Sequence, residues 1–126
     1  MNAGDTLLAA LRDTSVDSHL WVIISDPTQS GDVVIVNFTS WRQDKDQACI
    51  LNVGDHPYIS RTTCVNYREA KRVEAAKLDK LLNSGQMQLN TPLGSEVLER
   101  IRAAVPDSWI SQDNAQFLVD QGLVDF

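Results

Sequence analysis

Two apolar runs dominate the hydrophobic pattern. His19-Leu20-Trp21-Val22-Ile23-Ile24-Ser25 and Val33-Val34-Ile35-Val36-Asn37-Phe38-Thr39 are rich in β-branched and aromatic residues and barely alternate. Each predicts a strand buried on both faces. The segment between them, Asp26-Pro27-Thr28-Gln29-Ser30-Gly31-Asp32, is turn-forming by composition. So short a link predicts an antiparallel hairpin. Ser40 to Asp46 follows as a charged loop, Ala48 to Leu51 as a third, shorter strand, and Asn52-Val53-Gly54-Asp55 as a turn. Thr62 to Tyr67 is again β-rich. The mixed stretch after it is read as the same strand ending near Val73.

Helical spacing governs both ends of the chain. Leu7, Leu8 and Leu11 fall on one face, with Asp5 as a cap, which predicts an N-terminal helix over Thr6 to Arg12. A short helix is expected from Glu74 through Leu82, with Gly85 as its stop. Gln86 to Leu89 reads as a short strand or a linker. Thr91 as cap and Pro92 in the first turn open the next helix, which runs to Ala104 and buries Leu93, Val97, Leu98 and Ile101. A last helix over Ser111 to Gln121 turns Ala115, Leu118 and Val119 inward, and Gly122 ends it. The order predicts one α+β domain. Its centre is a small, mainly antiparallel barrel over about 19–82, with an N-terminal helix before it and a helical tail over about 86–126.

Composition narrows the class. The chain has 126 residues, enough for one core. With 43% hydrophobic and 22% charged residues it reads as an ordinary globular protein. No apolar run approaches the ~20 residues of a membrane span. Met1-Asn2-Ala3-Gly4-Asp5 lacks the basic and then apolar layout of a signal peptide. The expectation is a cytoplasmic location with no membrane partner. Cys49 and Cys64 are then expected as buried, reduced thiols. The net charge of −6 argues against a protein that merely coats nucleic acid, because such binding rests on clustered Lys and Arg. Arg61, Arg68, Lys71 and Arg72 nevertheless lie close together, with Arg42 and Lys45 upstream. A local basic face on an acidic protein fits that distribution.

The candidate chemistry gathers around Gly54 to Arg68, which holds a carboxylate, an imidazole, hydroxyls, phenols and guanidiniums. His56 can serve as acid or base, with Asp55 beside it; next to Pro57 it can equally shape a tight turn. Thr39 and Ser40 end an apolar strand, a rigid and accessible place for site hydroxyls, or a plain strand cap. Arg61 and Arg68 suit a phosphate clamp, since guanidinium bonds phosphate oxygens two at a time; the bland alternative is a solvated surface. Arg42 adds charge in the loop after Ser40, and Trp41 there can stack on a base or a partner. His19, His56, Cys49 and Cys64 show no C-x-x-C or H-x-x-x-H spacing, so no metal or cofactor is expected. Phosphate-loop, dinucleotide-binding and nucleophile-elbow motifs are absent from the sequence.

Val33 to Ser40 resembles the strand of MazF/PemK-type toxins that ends in a Thr-Ser pair. His19 to Ser25 is similar to the strand before it in those proteins, and Thr62 to Leu81, with Arg68, resembles their later strand and short helix. The resemblance covers about Leu20 to Leu82. It implies an SH3-like barrel, a metal-independent endoribonuclease acting on single-stranded RNA, a homodimer and an inhibitory antitoxin. The family's Gly-Asp-led first strand is not expected here, where a helix is predicted. Its later acidic residue would fall near Val65. Thr39 is the hydroxyl that carries over, and His56 and Arg61 would stand for the missing groups, with Ser40, Trp41, Arg42 and Arg68 as substrate contacts. The rival reading is a non-catalytic domain of the same barrel that binds another protein.

Overall fold

The computed structural model describes residues 1–9 and 19–125. Six strands form one antiparallel sheet: β1 Thr6–Ala9, β2 His19–Ile23, β3 Asp32–Ser40, β4 Ile50–Leu51, β5 Thr63–Glu74 and β6 Gln88–Asn90, in the order β4-β5-β3-β2-β1-β6. Three helices accompany it: α1 Ala75–Asn83, α2 Ser95–Ala103 and α3 Gln112–Asp120, with a 3₁₀ turn at Val105–Asp107 after α2. The class is α+β, and the sheet curls into a half-barrel.

The two apolar runs are the centre of that sheet. β2 and β3 pair antiparallel, with Trp21 opposite Asn37 and Ile23 opposite Ile35. Their lack of alternation has a direct cause: both faces are covered. Leu20, Val22, Ile24, Val34, Val36 and Phe38 face a core completed by the tail through Leu93, Val97, Ile101, Ala115 and Leu118. Trp21, Ile23, Val33 and Ile35 face the opposite way, against Leu7, Met87 and, from α1, Ala75 and Leu78. The tail is therefore half of the main core. Tyr67, wholly buried, donates from its hydroxyl to the Ile101 carbonyl at 2.6 Å and ties β5 to α2.

The curl originates in β5. Asp32 to Ile35 pair with Glu74 to Lys71, whereas Asn37 to Ser40 pair with Asn66 to Thr63. Tyr67 to Ala70 thus stand opposite the single residue Val36. Extra residues on one strand bend it and increase the local twist. The bend separates an upper half of β5, beside the end of β3, from a lower half that leads into α1.

The expected N-terminal helix is not what the described residues show. Thr6–Ala9 is a strand, paired with β2 on one side and β6 on the other; positions 10–12 of that expectation lie outside the described residues. Leu7, Leu8 and Leu11 have helical spacing, but local spacing carries no information about β6, more than 75 residues away. Pairing on both sides outweighs a weak local preference. The first helix of the tail also starts later than expected. Gly94, not Thr91, is its N-cap, because the Thr91 carbonyl is engaged by Thr6 Oγ1 at 2.7 Å and by His56 Nε2 at 2.6 Å.

Arg100 fastens α2 to the turn after β4. Its guanidinium donates to Asp55 at 3.1 Å and to the Ile50 carbonyl at 3.2 Å. Asp55 also accepts the Asn52 N–H at 2.8 Å. That backbone bond first, and Arg100 in addition, hold the Asp55 carboxyl below its usual range despite partial desolvation. A carboxylate whose pKa is depressed on folding stabilises the fold above the unfolded value and loses that contribution as pH falls through the folded one. The stability difference between the wild type and Asp55→Asn is thus expected to be constant near neutrality and to shrink below about pH 4. Urea denaturation across pH 2–7 measures it, and a difference that persists undiminished at the acid end would contradict this reading.

Candidate functional site

Antiparallel pairing brings the first residue of β2 beside the last residues of β3. Continuing the Trp21–Asn37 register by two residues puts His19 opposite Thr39. Ser40 and Thr39 pair in turn with Thr63 and Cys64 at the start of β5. The run Tyr58 to Arg61, just before β5, closes the remaining side. The result is an open cleft of about 510 Å³ lined by His19, Phe38, Thr39, Ser40, Tyr58, Ser60, Arg61 and Thr63. Its chemistry is hydroxyl-rich, with one imidazole and one guanidinium and no carboxylate among the described lining residues.

Of the residues singled out from the sequence, Thr39, Ser40 and Arg61 meet in this cleft. Thr39 is half-buried and Ser40 exposed. Arg61 is exposed, and its guanidinium has no ion-pair or hydrogen-bond partner among the described residues. Its backbone carbonyl accepts the Thr63 hydroxyl at 2.8 Å, which sets the turn into β5. His19 Nδ1 lies 3.4 Å from the Phe38 carbonyl oxygen, so the ring leans across the β2–β3 pair.

His56 is elsewhere. It is only 3% exposed and lies outside the cleft lining. Nε2 donates to the Thr91 carbonyl, and Nδ1 accepts the Tyr58 N–H at 3.0 Å. A carbonyl can only accept and an amide N–H can only donate, so these two bonds fix a neutral tautomer. Both ring nitrogens are occupied in a turn, as the His56-Pro57 sequence also permits. Asp55 is directed to Asn52 and Arg100 rather than to the imidazole.

Trp41, Arg42 and Arg68 are not among the lining residues. The Trp41 amide donates to the Thr62 carbonyl at 3.1 Å, and its indole nitrogen is buried with no hydrogen-bond partner among the described residues. Arg42 makes a loose exposed pair with Asp44 at 3.6 Å. Arg68 stacks over the Trp109 ring, 4.6 Å from its centroid, toward the tail. The basic residues along β5 are dispersed in the same way: Arg72 pairs with Asp32 at 2.9 Å and stacks on Phe117 at 4.1 Å.

His19, Tyr58, Ser60 and Thr63 belong to the cleft without having been assigned to a site from the sequence. The signal for His19 is the hairpin itself, since residues flanking an antiparallel pair at the open end are neighbours. Cys49 and Cys64 are free and buried. Desolvation pushes both thiols up from their ordinary range, which makes them inert packing groups rather than nucleophiles. No group of three or more His, Cys, Asp or Glu suited to a metal ion occurs among the described residues. No helix among them is long and apolar enough to cross a membrane. No model of a protein family matches the chain, and no curated protein matches it.

Proposed function

We propose that the cleft binds single-stranded RNA and cleaves it without a metal, as a toxin-like endoribonuclease. The observation that carries this reading is the convergence of Thr39, Ser40 and Arg61, from separate segments, with the imidazole of His19 in one open cleft. Cleavage by the neighbouring 2′-hydroxyl needs a group to take its proton, a group to protonate the leaving 5′-oxygen, and donors for the phosphate oxygens. The imidazole of His19 takes the 2′-hydroxyl proton, and a solvent proton reaches the leaving 5′-oxygen in the open cleft. Arg61 supplies the bidentate fork that matches two phosphate oxygens. The hydroxyls of Thr39 and Ser40 orient the sugar or phosphate. Hydroxyl, imidazole and guanidinium groups are donors to phosphate, whereas a divalent cation of the magnesium type asks for carboxylates. Gly4-Asp5 followed by the strand Thr6–Ala9 supports an SH3-like assignment of the half-barrel, because the resembled toxins begin with a Gly-Asp-led strand. A homodimer and an inhibitory antitoxin belong to the same proposal.

A second reading has its own support. His56, the imidazole first considered for acid–base work, is a turn residue, and the acidic balance of −6 suits a domain that binds a basic protein surface. Incubation with mixed-sequence single-stranded RNA separates the two. The expected result is cleavage that leaves 2′,3′-cyclic phosphate ends and is unaffected by EDTA. Arg61→Lys is expected to lower the rate roughly tenfold, the equivalent of about 1.4 kcal/mol of transition-state contact, because lysine lacks the fork. RNA left intact by the wild type would overturn the nuclease in favour of the interaction domain.

A further inference from the structure

We propose that Tyr58 is a stacking platform for one unpaired nucleobase of the strand whose phosphate lies in the cleft, and that His56 is the positioning residue that holds it there. The proposal rests on the nucleic-acid reading of the cleft and adds the base to the phosphate. Among the described residues, Tyr58 is one of few large hydrophobic side chains left exposed, at 41%. It lines the cleft together with Arg61. Tyr67, the other tyrosine, is wholly buried with its hydroxyl bonded, so the contrast lies in placement rather than in residue type.

The backbone that presents Tyr58 is rigid. Its N–H is taken by His56 Nδ1 at 3.0 Å, and the next amide, Ile59 N–H, donates to the His56 carbonyl at 3.0 Å. Ile59 anchors the far side in the core at 4% exposure, while Pro57 limits the near side. His56 itself is pinned to the Thr91 carbonyl after β6. A buried imidazole with both nitrogens occupied presents no open ring nitrogen to a substrate. What it builds is a turn with an open aromatic ring at its tip. A pre-ordered ring pays little conformational entropy when a planar ligand covers it. Every base has a π-face, so stacking is tolerant of sequence. A guanidinium close by on the same rim supplies the phosphate contact that fixes the strand's position.

The test uses a short single-stranded oligonucleotide with 2′-O-methyl sugars, which resists cleavage, and its abasic counterpart of equal charge. Binding of each is followed by fluorescence anisotropy. The wild type is expected to prefer the base-bearing strand by roughly ten- to a hundredfold, the range of one base–aromatic stack. Tyr58→Ala should abolish the preference without weakening the abasic strand, and Tyr58→Trp should keep it. His56→Asn should also keep it, because an Asn side-chain oxygen accepts the N–H two residues on, although the Thr91 contact is lost. His56→Ala should lose it. Equal affinity of the wild type for both strands, or a preference that survives Tyr58→Ala, would overturn the stacking platform and leave the phosphate cleft standing. No binding of either strand would overturn both. A folded His56→Asn protein without the preference, or a folded His56→Ala protein with it, would overturn the positioning role alone.

Discussion

Ile23→Asp is expected to destabilise the protein by about 4 kcal/mol or more, the scale of an unpaired charge placed in a core. Ile23 is wholly buried in the layer between the sheet and α1, among Trp21, Leu7, Ile35 and Leu78. β1 and β3 flank its strand on either side, so the side chain has no path to water that leaves the pairing intact. Lys71, on that face, already lies over the Trp21 ring, 5.9 Å from its centroid. The new carboxylate must stay protonated or force the layer open. Small domains are stable by only about 5–15 kcal/mol, so the substitution consumes a large fraction of the total. Chemical denaturation measures the change; a midpoint equal to that of the wild type would contradict the two-sided burial of β2.

His19→Ala is expected to lower RNA cleavage by ~10²-fold or more, the usual scale for removing a general acid or base. His19 is the imidazole that lines the cleft, and it projects from a strand end rather than from the core. It is half-buried, so truncation should leave the melting temperature near that of the wild type. Cleavage kinetics beside a thermal melt provide the comparison. A folded His19→Ala protein with the wild-type rate would remove His19 from the reaction, and a rate loss matched by unfolding would show only a structural role.

The parts of the fold legible in the sequence are those built from local pattern. The two apolar runs are β2 and β3, adjacent and antiparallel. The ambiguous stretch after Tyr67 is strand through Glu74, and the apolar stripes of the tail are α2 and α3, with Ser111 capping α3 through the Asn114 N–H. β1 was illegible because its partners are His19–Val22 and Gln88–Asn90, and a four-residue strand has no period of its own to set against helical spacing. The site divides along the same line. Thr39, Ser40 and Arg61 are marked by residue type and by their place at strand ends. The difference between His19 and His56 is not marked, since both are imidazoles beside strands. It depends on Thr91 and Tyr58 occupying the nitrogens of one of them, which is a contact across 35 residues. Arg68 fails to reach the cleft for a similar reason: Trp109, from the tail, lies under it.

Single-stranded RNA is proposed to bind in the cleft at the open end of β2 and β3. Amide shift mapping of the ¹⁵N-labelled protein, titrated with an uncleavable 2′-O-methyl strand, tests it most directly. The largest shifts are expected on His19, Thr39, Ser40, Tyr58, Ser60 and Arg61, and they should weaken as salt is raised, as phosphate contacts do. Shifts confined to the Gln43–Ala48 loop and Trp109, or no shifts at all, would contradict it.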